Sequence, residues 1–144
     1  MDDETETRIV ETAEYIHEAV SVLERKQSLT KAAYLEDREQ RAIVEREFQT
    51  AIEACLDIAA RCIKASDTAV PETNAQRFAV LEDLGVLTTE AATAMQEAAG
   101  FRNVLAHRYG HDIDDERVYW HLQHDLDWFR TYLSAVRSSL DEPS

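Results

Sequence analysis

The segment Phe101-Arg102-Asn103-Val104-Leu105-Ala106-His107-Arg108-Tyr109 gathers a guanidinium, an amide, an imidazole and a phenol into nine residues, denser in reactive groups than any other stretch of the chain. On a helix successive side chains turn by about 100°, so Asn103 and His107 stack on one face and Arg102 sits beside it. Ala94, Ala98, Phe101 and Leu105 form the apolar stripe of the same wheel, which leaves His107 on a different side from the core-building residues. Arginine presents a fixed fork of donors suited to a phosphate and keeps its charge near neutrality. Histidine takes or gives a proton near pH 7. Together, and without a metal, they suffice for one chemistry: a ribose 2′-hydroxyl attacks the adjoining phosphodiester, the imidazole removes its proton, and the guanidinium steadies charge on the crowded phosphorus. RNA has that hydroxyl and DNA does not. The departing 5′ oxygen also needs a proton, and one chain offers one convincing histidine for the work. A two-fold dimer with a composite cleft is therefore expected, the second copy supplying the second imidazole.

Charge bears on the same reading. With 29 Asp and Glu against 15 Lys and Arg the formal net charge is -14, a surface that repels nucleic acid at long range. The acid is spread along the whole chain rather than gathered in a tail, which points to a surface adapted to high salt. Between Glu97 and Asp112 there is no acidic residue, while Arg102 and Arg108 both fall there. That window favours an anion and makes Arg108 a candidate RNA contact. Other site types are missing from the sequence: no glycine-rich phosphate loop, no HExxH, no Cys-x-x-Cys and no nucleophile elbow. His107 with His111, and His121 with His124, have helix-face spacing for a metal. The first pair straddles Gly110 and the second is expected on a solvated face, so neither a metal nor a cofactor is expected. Cys55 and Cys62 share one helical stripe and read as reduced core thiols.

The elements that must position Arg102 and His107 are helical. A chain of 144 residues with three Gly and two Pro, rich in Ala, Leu, Glu and Arg, predicts an all-α domain spanning 1–144, an antiparallel bundle of four to five helices. The first helix carries Ile9, Ala13, Ile16, Val20 and Leu23 and ends near Lys26, and Gln27 to Tyr34 read as a connection. A long second helix from Leu35 to Ala65 has two adjoining apolar seams, which places it at the centre of the bundle. Residues 66–75 form an internal loop. A short helix with Phe78, Leu81 and Leu84 runs to a capping Gly85, and Thr88 or Thr89 starts the motif helix. Gly110 is its natural stop. One final helix then begins at Asp114 and carries Val118, Leu122, Leu126, Phe129, Leu133, Val136 and Leu140, with Trp120, Trp128 and Tyr132 outside the narrowest stripe. The acidic start lacks the basic region of a signal peptide and no apolar run reaches membrane-spanning length, which predicts a cytoplasmic protein.

Arg102-Asn103-x3-His107-x-Tyr109 resembles the R-x4-H-x-Y signature of the HEPN superfamily, and in particular its HepT-like toxins. The resemblance extends over nearly the whole chain: Glu45-Arg46 and the Ala51-Ile52…Leu56-Asp57-Ile58-Ala59 run, Phe78…Leu81…Leu84-Gly85-Val86-Leu87, and Ile113-Asp114 after the motif. It implies a helical bundle that forms a homodimer with both motifs facing one cleft, and a metal-independent endoribonuclease that acts as the toxin of a HEPN/MNT toxin–antitoxin pair of the type VII kind. By position it makes Arg102 and His107 the catalytic pair and Asn103 the polar residue that helps hold the site. The implied partner is an MNT-type nucleotidyltransferase antitoxin that silences the toxin by transferring AMP onto Tyr109. The alternative within the resemblance is a non-catalytic HEPN subunit that binds nucleotide or docks the nucleotidyltransferase.

Overall fold

A computed structural model describes residues 1–108 and 113–141. Seven helices account for most of them: α1 Asp3–Lys26, α2 Lys31–Glu36, α3 Arg38–Ala65, α4 Asn74–Asp83, α5 Thr89–His107, α6 Asp115–His124 and α7 Asp127–Asp141. The fold is all-α. Among the described residues no helix is long and apolar enough to cross a membrane.

Helix ends follow local side-chain chemistry. Asp2, Thr30, Asp37, Thr88 and Asp114 each accept a hydrogen bond from a backbone N–H in the first turn of α1, α2, α3, α5 and α6 respectively, satisfying donors that the helix itself leaves free. The α4 end is a Schellman turn: the N–H of Gly85 donates to Glu82 O and that of Val86 to Leu81 O, at 3.0 and 2.9 Å. Gly85 holds φ +80° there, a conformation that a Cβ penalises. This turn redirects the chain into α5.

Two boundaries differ from the sequence reading. The connection from Gln27 to Tyr34 contains the start of α2, because Thr30 caps it and Tyr34 is fully buried. Asp37 then adopts an extended conformation and caps α3, so the long helix begins at Arg38 instead of Leu35. The final helix is also two. Its ladder stops at His124, and Asp125 and Leu126 form a bend from which the N–H of Trp128 donates to Asp125 O. Leu126, Trp128, Phe129 and Tyr132, on either side of the break, are all buried.

α3 is the centre. It packs against every other helix, and its two seams are buried as Val44, Phe48, Ala51, Ile52, Cys55, Leu56, Ile58, Ala59, Cys62 and Ile63. Both thiols are free and buried, and burial pushes the Cys62 thiol up to about 11, so they sit as unreactive core groups. Phe48 meets Phe101 edge-on at 5.2 Å and Phe129 at 6.2 Å. The buried Tyr132 hydroxyl donates to Cys55 O at 2.7 Å, which closes α7 onto α3 without leaving an orphan hydroxyl.

Candidate active site

α5 presents the motif, and its packing decides which side chains do what. Ala91, Ala92, Met95, Ala98, Ala99, Phe101 and Leu105 are buried; the small alanines let α4 and α3 approach closely, and Phe101 fills the space over Phe48. With that face inward, Asn103 and His107 lie exposed on the opposite side. The helix ends at His107. Arg108 is exposed and extended, its N–H donating to Val104 O at 3.2 Å. Tyr109, Gly110 and His111 lie outside the described residues.

Arg102 emerges between these faces, on the side of α3. Its Nη2 donates to Glu53 Oε1 at 2.6 Å, and Nη1 makes a long 3.5 Å contact with Asn103 Oδ1. Its Nε is buried with no partner among the described residues. Gln49 Nε2 reaches the same Glu53 oxygen at 3.5 Å. The guanidinium is thus oriented by one carboxylate and retains donor capacity. Beside it runs a cleft of about 370 Å³ whose lining includes Glu45, Arg46, Gln49 and Glu53 of α3 and Leu105 of α5. Burial, reinforced by nearby Asp115 and opposed by Arg41, holds the Glu45 carboxyl above the usual carboxylate range.

Glu53 is the residue that sequence reasoning missed. The stretch between Glu97 and Asp112 carries no acid, but folding brings one onto Arg102 from 49 residues away. Its signal was faint: Glu53 falls four residues after Gln49, on the flank of the α3 seam, and nothing local names a cross-helix partner.

The second histidine pair also differs from expectation. His121 is 2% exposed, not solvated. Its ring lies 4.4 Å from Phe101 and 5.1 Å from Trp128, Nδ1 donates to Asp125 Oδ2 at 2.5 Å, and Arg117 Nε approaches Nε2 at 3.5 Å. His124 is exposed and turned to Trp120 O instead. Glu97, His121 and Asp125 have ligand atoms within 4.8 Å of one another; the hydrogen bond already joins two of them, and the Arg117 guanidinium sets positive charge where a cation would gather. The cluster reads as a structural hydrogen-bond network joining α5, α6 and the bend.

Because the Arg102 and Glu53 side chains are 21% and 45% exposed, water screens their attraction. Arg102→Ala and Glu53→Ala are each expected to change unfolding free energy by about 1 kcal/mol or less. Urea titration checks this; a loss of several kcal/mol would make the pair a structural clamp and Arg102 a structural residue.

Residues 13–136 match a family described as Ribonuclease HepT-like. The chain is similar to the tRNA nuclease HepT of Aphanizomenon flos-aquae, 29% identical over 133 residues, covering 92% of this chain and 90% of that protein. It is also similar to the mRNA nuclease HepT of Shewanella oneidensis, 23% identical over 91 residues, covering 63% and 68% respectively. Among solved structures, a toxin–antitoxin crystal structure with AMP-PNP superposes with a TM-score of 0.84 at 18% identity, over 92% of this chain and 98% of that one. A tri-AMPylated Shewanella oneidensis HEPN toxin in complex with its MNT antitoxin gives 0.83 at 20% identity, over 96% and 99%.

Proposed function

Since the chain belongs to the HepT-like ribonuclease family, we propose that it is the toxin of a HEPN/MNT pair, a metal-independent endoribonuclease in which residues 1–144 work as one domain in the cytoplasm. The observation that carries this reading is the division of α5: its apolar face is buried against α3, while His107 and Asn103 face outward at its end and Arg102 stands beside them with an Nε that has no partner among the described residues. Both curated relatives are named as nucleases of RNA.

In this mechanism a bridging phosphodiester docks on the Arg102 fork, with Arg108 as a further contact and Asn103 holding the guanidinium from the side. Phosphate competes with Glu53 for Arg102, so the fork is held in place until substrate arrives. His107 removes the 2′ proton as the O2′–P bond forms. The P–O5′ bond breaks, and the His107 of a second copy protonates the departing oxygen, leaving a 2′,3′-cyclic phosphate and a 5′-hydroxyl. Gly100 supports the dimer this requires. It lies in the interior of α5 on the exposed face shared with Asn103 and His107, and a Cβ there would meet nothing within 4 Å among the described residues. A helix-interior glycine costs about 0.5–1 kcal/mol relative to alanine, and nothing within one copy offsets it; close approach by the second copy's helix does.

The partner in this reading is an MNT-type nucleotidyltransferase that places AMP on Tyr109, as a neighbouring fold is a tri-AMPylated HEPN toxin bound to an MNT antitoxin. Negative charge added one residue beyond Arg108 would compete for the arginines that RNA needs.

Three outcomes are expected. Purified protein should cleave RNA in the presence of EDTA, and Arg102→Ala or His107→Ala should slow cleavage by roughly 100- to 10,000-fold; variants as active as wild type would sink the catalytic assignment. Incubation with the nucleotidyltransferase and ATP should add AMP mass to the peptide containing Tyr109, and Tyr109→Phe should abolish it; an adduct elsewhere refutes that role. Gly100→Ala should raise protomer stability by about 0.5–1 kcal/mol and weaken self-association in sedimentation runs. Undiminished association would remove this face as the dimer interface.

A further inference from the structure

Trp120 is 51% exposed on α6, while the chain's other tryptophan, Trp128, is 6% exposed. It is held in place. His124 stacks under the indole with centroids 4.5 Å apart and planes 22° from parallel, and His124 Nδ1 bonds to Trp120 O at 2.8 Å, which fixes the imidazole one helical turn on. The indole also meets His121 edge-on at 5.4 Å, and His121 lies against Phe101, the residue before Arg102. Two ring contacts therefore connect this exposed surface to the motif helix. On the α5 wheel the outward face of Asn103 and His107 has Arg102 and α3 on one flank and Glu97 with α6 on the other.

We propose that Trp120, backed by His124, is a stacking platform for an unpaired base of the RNA substrate, flanking the scissile phosphate. The proposal rests on the ribonuclease reading above and adds a substrate-binding residue to it. An imidazole and an indole already stacked in near-parallel planes are a pile of two rings, and a nucleobase extends it by one with little ordering cost. The charge around it suits a base. Glu116 pairs with Lys31 at 3.4 Å and Asp115 with Arg41 at 3.5 Å, Asp125 is hydrogen-bonded to the His121 ring, and Arg117 adds positive charge one turn before Trp120. Glu97 remains on the α5 side as an acidic neighbour. It disfavours a phosphate at that spot but not the neutral face of a base, so in a chain of net charge -14 the platform holds RNA by stacking while the arginines hold the backbone. Recognition of this kind selects single-stranded RNA, because bases within a duplex have no free face.

The test uses the full-length protein and short oligoribonucleotides, single-stranded or fully paired. With the wild type, Trp120→Ala should raise KM for single-stranded RNA by about 5- to 100-fold with kcat within about twofold, and Trp120→Phe should recover most of the loss. In the cleavage-inactive His107→Ala background, single-stranded RNA should quench the exposed tryptophan emission and the duplex should not, Trp128 contributing a constant buried signal. A wild type that cleaves RNA while Trp120→Ala leaves KM and quenching unchanged overturns the platform and keeps the ribonuclease. A wild type that neither binds nor cleaves RNA overturns both. Unchanged RNA affinity in Trp120→Ala with lost self-association or lost binding of the nucleotidyltransferase by gel filtration makes Trp120 a protein contact and also overturns the platform.

Discussion

The edge-on contact of Phe101 with Phe48, set in the buried face that α5 turns to α3, is the constraint on which the site depends. A helix has one rotational setting about its axis, and apolar burial chooses it. Once Ala98, Phe101 and Leu105 are inside, Asn103 and His107 can only be outside, and Arg102 can only emerge along the seam with α3. Burying an aromatic and a leucine side chain is worth roughly 1.5–3 kcal/mol each, more than any of the screened polar contacts nearby. The polar motif therefore follows the core and does not set it.

What the core cannot set is how Arg102 is aimed. A long side chain at a helix seam has many rotamers, and ordering it costs side-chain entropy. Glu53 and Asn103 limit that freedom from two sides, yet the Glu53 pair is partly exposed and the Nε of Arg102 has no partner among the described residues. Such an arrangement orients the guanidinium without saturating it. The same economy recurs on the other flank of α5, where Asp125, Arg117 and three aromatic rings fix His121 and so hold α6 against Phe101. The motif helix is gripped on both sides, and its outward strip is left open.

Acidity and nucleic-acid chemistry are reconciled locally. Two carboxylates beside the site are engaged with a cation or held above the usual range, Glu53 on Arg102 and Glu45 in its partly buried setting. Net charge governs long-range encounter and solubility; the field beside Arg102 is set by these local pairings.

The helical class, the central place of α3, a cap at Thr88 or Thr89, a helix start at Asp114, the Gly85 turn and the outward setting of Asn103 and His107 were all legible in the sequence, because each rests on short-range periodicity or on chemistry within one turn. The Asp37 break, the α6–α7 bend, the burial of His121 and the arrival of Glu53 at Arg102 were not. The burial of His121 and the arrival of Glu53 depend on residues distant in the chain: His121 packs on Phe101 and Trp128, and Glu53 meets Arg102 only after α3 and α5 have docked. Local sequence determined which groups could do chemistry and which face they share. Tertiary packing decided their neighbours, since a period of 3.6 residues says where a side chain points but not what comes to meet it.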